Sequence, residues 1–241
     1  MNQSNHEFNG DLWLCRCLED FGAFKALSDL ISNSTVMDAH IASYTAMSVS
    51  GTAAPRKIAV QLKDRHFEEI KNLVVHFGAQ TIVCLCTSFE VAAREFFKAW
   101  FIRRPEHVHE YIDNGSRKGL VPLSEIISAQ NRDELMLQLA NRASHAAVGG
   151  KYGRILKRVE AFSKAAIPNQ LSQKIRVLQE QRNEVVHEKG KHSGSAEAIE
   201  RAHDTVHEAI IYLSIAGKAN DVPGRYSCIR QVELGNVSLI G

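Results

Sequence analysis

The sequence predicts an all-α protein, a helical bundle preceded by a helical extension. Apolar residues recur at spacings of three and four through most of the 241 residues, which is the period of one face of an α-helix. Prolines, glycines and capping residues divide this pattern into segments of helical length. Only the last fifteen residues, from Ser227 onward, alternate in short apolar runs, and they are predicted to form a short hairpin.

The N-terminal extension is predicted to contain two helices. The first runs from Asp11 to Asn33, where the apolar residues follow the helical period. A second, weaker helix follows Thr35. It is expected to end before the segment Ser48–Pro55, because small residues with a glycine and a proline are typical of a linker. Residues 1–55 are therefore assigned to an N-terminal helical extension and linker.

The strongest helical pattern lies between Arg56 and Arg104. So long a stretch predicts two helices, divided near Gly78, rather than one. The segment TIVCLC, residues 81–86, is apolar nearly all round and is expected at the centre of the core. Pro105 then ends the second helix, since the residue before a proline disfavours helical geometry.

Residues 56–220 are assigned to one helical domain. After a turn at Asn114 and Gly115, the rest of this domain is predicted to form a series of shorter helices. The predicted segments are Leu123–Gln130, Arg132–Ala147, Tyr152–Ala165, a helix with Pro168 in its first turn, and a last helix capped by Ser195, with Glu197 in its first turn, and ended by Gly217. Residues 221–241 form a C-terminal tail that includes the predicted hairpin.

Composition favours an ordinary soluble protein in the cytoplasm. Hydrophobic residues make up 44% and charged residues 23%, no apolar run approaches the length needed to span a bilayer, and the polar N-terminus lacks an export signal. We therefore expect no membrane association. The formal charge of +2 is too small to indicate nucleic-acid binding by itself.

Four of the five cysteines form two pairs with one residue between them, Cys15 with Cys17 and Cys84 with Cys86. Neither pair has the spacing or the partner histidines of a zinc site. Buried, reduced thiols are expected instead, with no metal site and no cofactor.

One short segment departs from the ordinary pattern. The apolar positions 171, 175, 178 and 185 place Arg182 in the middle of the apolar stripe of its helix, where a hydrophobic residue is expected. The arginine either packs its stem at the edge of the core and reaches water, or presents its guanidinium to a cleft or a second subunit. The spacing from arginine to histidine decides nothing alone, because Arg103 with His107 and Arg201 with His207 share it.

Asn183 and His187 lie four residues apart, so they share one helix face and the amide can orient the imidazole. At about 100° per residue, His187 lies roughly 140° around the helix from Arg182. The two side chains converge within one chain only if the helix frays near Gly190 or the long arginine reaches round. Two copies of the chain can bring them together without that strain.

These residue types permit RNA cleavage without a metal. A neutral histidine can take the proton from a ribose 2′-hydroxyl, while a guanidinium binds the phosphate and stabilises its growing charge. Lys189, Lys191 and His192 add a local basic patch that can hold neighbouring phosphates. The alternative is a solvated helix end, where His187 and Lys189 simply favour the negative end of the helix dipole.

The segment RNEVVH, Arg182 to His187, resembles the hallmark motif of the HEPN superfamily, all-helical domains of which many are RNases or RNase toxins. In that family an arginine, commonly followed by a polar residue, precedes a histidine by four to six residues near the end of a helix that comes before a final long helix. The resemblance covers about Val74 to Gly217. Glu90, in SFEVAAREFF, is similar to the acidic residue that the first long helix of such domains often carries. An equally good interpretation is a glutamate on the solvent-exposed side of a core helix.

The resemblance implies a metal-independent endoribonuclease of the HEPN type. His187 would be the general acid/base, Arg182 the phosphate and transition-state ligand, and Asn183 the orienting group. It further implies a homodimer with a composite active site and a role as a toxin or antiviral defence effector, held in check by an antitoxin or another regulatory partner. The alternative is a non-catalytic HEPN-like module that binds nucleotides or proteins.

Overall fold

A computed structural model describes residues 7–49, 56–114, 117–118, 121–187 and 194–227. This part of the chain is mostly helical, which confirms the all-α class. Its α-helices are α1 (Gly10–Ser32), α2 (Ser34–Val49), α3 (Arg56–Arg103), α4 (Leu123–Ser128), α5 (Arg132–Ala147), α6 (Tyr152–Ser163), α7 (Leu171–His187) and α8 (Ala196–Lys218), with a 3-10 helix at Pro105–Glu110 between α3 and α4.

Four strands of two residues each complete the described elements. Strand β1 (Phe8–Asn9) pairs in parallel with β4 (Gly224–Arg225), and Phe8 lies opposite Gly224. Strand β2 (Asp113–Asn114) pairs antiparallel with β3 (Arg117–Lys118). The pairing of β1 with β4 joins two segments that are distant in sequence.

Most helix boundaries agree with the sequence patterns within two residues. The cap predicted for the last helix is present, since the Ser195 hydroxyl accepts the Ala198 N–H at 3.3 Å. Pro168 is an exception, because it lies three residues before α7 and not in its first turn; its carbonyl accepts the Leu171 N–H at 2.9 Å. The linker residues 50–55 and the predicted hairpin beyond Ser227 lie outside the described residues.

The prediction of two helices divided at Gly78 is wrong, because α3 is one continuous helix of 48 residues. A Cβ added at Gly78 would lie 2.7 Å from the Gly194 carbonyl oxygen and 2.7 Å from the Ile199 side chain. The glycine is therefore explained by a close approach between backbones and not by a helix break. Sequence patterns cannot distinguish these two uses of a glycine inside a helix.

Replacing Gly78 with alanine is expected to destabilise the protein by about 1–3 kcal/mol, because the added methyl group overlaps a backbone oxygen that cannot move cheaply. The matched control is Gly22→Ala in α1, where an added Cβ meets nothing within 4 Å. That change should stabilise the protein by roughly 0.5–1 kcal/mol through helix propensity. Urea unfolding of both variants measures the difference, and equal stability of the two would contradict the close approach.

Helix α3 also corrects an expectation about apolar length. By length and composition alone, the stretch Val60–Arg103 is long and apolar enough to cross a membrane, and 44% of its most apolar window is buried inside the protein. The core helix of a soluble protein passes the same test. The finding therefore concerns length and composition only.

The chain divides into two compact units. The larger unit contains Met1–Cys17, Cys86–Glu180 and Asp204–Gly241. Its core is rich in aromatic and branched side chains that are almost completely buried, among them Phe89, Phe96, Phe97, Trp100, Phe101, Ile155, Leu156, Leu171 and Ile175. Phe8 of β1 packs edge-on against Phe96 with ring centroids 5.7 Å apart, so the N-terminal strand contributes directly to this core.

The smaller unit contains Leu18–Leu85 and Gln181–His203. Phe24 is buried there and stacks on Phe77 with centroids 6.4 Å apart. Residues from α1, α2 and α3 line an apolar groove of about 520 Å³, among them Leu27, Ile31, Met37, Ile70, Leu73 and Phe77. Some of the apolar side chains that line this groove are exposed to solvent; the exposed fraction of Leu73 is 65%.

The expectation of four buried thiols is half correct. Cys17 and Cys86 are buried, whereas Cys15 and Cys84 are exposed. Residues separated by two positions point to different sides of a helix, so only one member of each pair can face the core. All four described cysteines are free thiols.

Candidate functional site

The segment that carries the arginine and the histidine is the C-terminal end of α7, the helix directly before α8. Leu171, Ile175 and Leu178 are buried and anchor the first part of this helix. Their spacing is the helical period, which explains why the segment folds as a helix that presents one face to a core. We call Arg182, Asn183 and His187 the Arg–His motif.

Arg182 is half-buried and continues the apolar stripe of α7, as the sequence predicts. Its guanidinium forms no hydrogen bond or ion pair with another described residue, unlike Arg176 one and a half turns earlier, whose guanidinium lies 3.8 Å from the Glu180 carboxylate. Five donors on a half-buried arginine without a carboxylate partner suit the binding of an anion such as a phosphate.

Asn183 and His187 are both exposed. In the part of the chain that the structure describes, no hydrogen bond joins the two side chains, although they are four residues apart on one helix. Helix α7 remains regular through His187, so the chain does not fray before the histidine. Arg182 and His187 therefore point about 140° apart around the helix axis, and one chain does not bring them to the same face.

Glu90 belongs to the larger unit, whereas the Arg–His motif belongs to the smaller. Glu90 is half-buried, and its carboxylate accepts a hydrogen bond of 2.6 Å from the Tyr152 hydroxyl. The backbone N–H of Tyr152 in turn donates to the Gln179 side chain of α7 at 3.0 Å. Glu90 is thus held by a buried phenol and is not simply solvated.

The sequence did not predict that Tyr152 contacts Glu90; it placed Tyr152 only at the start of a helix. Glu90 and Tyr152 are 62 residues apart in the chain, so no local spacing indicates their contact. Burial raises the pKa of Tyr152 well above its ordinary value, and the neighbouring Cys86 and Glu90 raise it further. The phenol therefore stays protonated and remains a hydrogen-bond donor to Glu90.

Buried tyrosines make the stability of the larger unit sensitive to alkali. Burial and the charge of Glu160 raise the pKa of Tyr212 from 10.0 to about 12, and its hydroxyl donates to the Ala165 carbonyl at 2.8 Å. Between pH 10 and 12 the unfolded chain has lost this proton while the folded chain keeps it, so stability should fall as the pH rises through this range. Urea unfolding at pH 9, 10 and 11 tests this, and Tyr212→Phe should show a shallower decline. An unchanged pH dependence in that variant would contradict the assignment.

Three residues of the predicted basic patch, Lys189, Lys191 and His192, lie outside the described residues. Among the described residues, no group of three or more histidine, cysteine, aspartate or glutamate side chains is arranged to hold a metal ion. The described part of the motif can thus contribute a histidine base, a guanidinium and an amide, which are groups for acid–base and electrostatic chemistry.

Comparisons of the chain with family models, with curated proteins and with solved structures find no match.

Proposed function

We propose that this protein is a metal-independent endoribonuclease of the HEPN type. The imidazole of His187 takes the proton from a ribose 2′-hydroxyl, and the 2′-oxygen attacks the adjacent phosphorus. The guanidinium of Arg182 binds the phosphate and stabilises the negative charge that develops on the phosphate oxygens. The bond from phosphorus to the 5′-oxygen breaks and that oxygen takes up a proton, so the products carry a 2′,3′-cyclic phosphate and a 5′-hydroxyl.

The observation that carries this proposal is the environment of the Arg182 guanidinium and of the His187 imidazole near the end of α7. His187 is exposed, so a large substrate can reach it. Arg182 is half-buried and its guanidinium has no ion pair among the described residues. A buried or half-buried charge is usually paired within the protein, so the guanidinium of Arg182, which has no such pair among the described residues, favours an anionic ligand.

The geometry of α7 favours a homodimer with a composite active site. Because the helix stays regular through His187, Arg182 of one copy and His187 of the other can converge more easily than the two groups of one chain. Asn183, one turn before His187, would orient the imidazole once the ligand is bound. Lys189, Lys191 and His192 would hold neighbouring phosphates.

We place this activity in the cytoplasm, in a toxin or antiviral defence system in which an antitoxin or another regulatory partner restrains cleavage. The toxin or defence setting rests on the family resemblance alone. The alternative hypothesis is a non-catalytic HEPN-like module that binds nucleotides or proteins. It would use the same basic residues but would not cleave RNA.

The decisive experiment incubates the purified protein with end-labelled RNA, with and without a chelator, beside the same strand made of DNA. We expect cleavage of RNA that persists in the chelator, no cleavage of DNA, and cyclic phosphate ends on the products. An absolute requirement for a metal would overturn the mechanism. RNA binding without cleavage under all conditions would favour the non-catalytic module.

A mixing experiment tests the composite site. The variants Arg182→Ala and His187→Ala should each be inactive alone, whereas their mixture should regain part of the activity if one copy supplies the arginine and the other the histidine. The control is Arg176→Ala, an exposed arginine of the same helix, which should keep full activity. No recovery in a mixture that is shown to form mixed dimers would exclude the composite arrangement.

A further inference from the structure

Two histidines from different helices meet in the smaller unit, away from the Arg–His motif in the sequence. The Nε2 atoms of His40 on α2 and His66 on α3 lie 3.3 Å apart. Their ring centroids are 5.4 Å apart and the ring planes are inclined by 30°. The two imidazoles thus meet through their Nε2 atoms where α2 lies against α3.

The His66 ring is held by stacking on one of its faces. It stacks on Tyr44 of α2 with centroids 3.7 Å apart and planes 9° apart. Its Nδ1 atom is buried, makes no hydrogen bond, and lies 3.7 Å from the Glu69 carboxylate one turn along α3. Glu69 is itself fixed by a 3.0 Å hydrogen bond from Arg65. The ring is therefore oriented before any ligand arrives.

The separation of the two nitrogens is that of two ligands of one metal ion. Zinc binds imidazole nitrogen at about 2.0–2.1 Å in tetrahedral geometry, which places two such nitrogens about 3.3 Å apart. A histidine that binds a metal through one nitrogen commonly directs the other towards a carboxylate, which fixes its tautomer. Glu69 stands on that side of His66.

We propose that His40 and His66 form a binding site for a divalent transition-metal ion, with Zn²⁺ the ion that fits the distance. Imidazole ligands suit zinc, copper and nickel, whereas magnesium and calcium prefer oxygen. Among the described residues no third metal-binding side chain joins the pair, so water completes the coordination, and exposed His40 leaves room for it. A bound ion ties α2 to α3 in the smaller unit. The site is separate from the proposed ribonuclease chemistry, which uses no metal.

Calorimetric titration of the full chain with Zn²⁺ tests the site. Wild type should bind one ion per chain at this position, and His40→Ala and His66→Ala should each weaken that binding at least tenfold. Glu69→Gln should weaken it by roughly tenfold, the typical effect of a carboxylate that orients a ligand. The matched control is His145→Ala, an exposed histidine of α5, which should bind as wild type does. Mg²⁺ should not bind at this site.

The exposed thiols of Cys15 and Cys84 can also bind zinc. The test of the site is therefore the difference in zinc affinity between wild type and the histidine variants. Zinc should raise the melting temperature of wild type and of His145→Ala, but not that of His40→Ala. Since His40 is exposed, its replacement should leave the fold intact, which circular dichroism checks. Equal zinc binding in wild type and both histidine variants would overturn the proposal and leave the pair as a hydrogen bond between two imidazoles.

Discussion

His187→Ala is expected to remove RNA cleavage while leaving the fold intact. General acid–base catalysis by a positioned side chain contributes roughly 10²–10⁴-fold to a rate, so the cleavage rate should fall by that factor. His187 is exposed at the end of α7 and its side chain makes no hydrogen bond with another described residue, so its removal should leave stability almost unchanged. A single-turnover assay with labelled RNA measures the first effect and urea unfolding the second.

His145→Ala is the matched control, because His145 is another exposed histidine near the C-terminal end of a helix. It should cleave RNA at the wild-type rate. If His187→Ala retains that rate as well, the proposed mechanism fails. If His187→Ala loses cleavage but still binds RNA as tightly as wild type, the histidine acts in the chemical step and not in binding.

Trp100→Ala is expected to cause one of the largest losses of stability in the chain. Trp100 is 1% exposed, stacks on Phe162 with centroids 5.8 Å apart, and donates its indole N–H to His107 at 2.9 Å. Removing a buried tryptophan side chain costs about 3–5 kcal/mol through lost burial and the cavity that remains. The free energy of unfolding of the larger unit, measured in urea, should fall by that amount.

The control for this change is Leu123→Ala, because Leu123 is 68% exposed in the short helix α4. Its replacement should change the free energy of unfolding by less than about 0.5 kcal/mol. Trp100→Phe keeps most of the buried surface and should lie between the two. A loss in Trp100→Ala no larger than that in Leu123→Ala would contradict the central place of Trp100 in the core.

The helices and the Arg–His motif were accessible from the sequence because they depend on near neighbours. Helix hydrogen bonds join residues four apart, and the apolar period reports which face is buried. The same period placed Arg182 on a stripe that the structure also places at the edge of the buried face. One failure, the division of α3 at Gly78, shows the limit of that reasoning, because a glycine in a helix has the same local pattern whether it breaks the helix or admits another backbone.

The sequence by itself determined the class of the fold, the order of its helices and the chemical groups of the Arg–His motif. Only the tertiary structure decided which distant residues meet: the Tyr152 phenol on Glu90, the Gly194 backbone on Gly78, and the imidazole of His40 on that of His66. The physical reason is that helix formation is set within a few residues, whereas contacts between helices depend on how whole faces pack and leave no trace in local spacing.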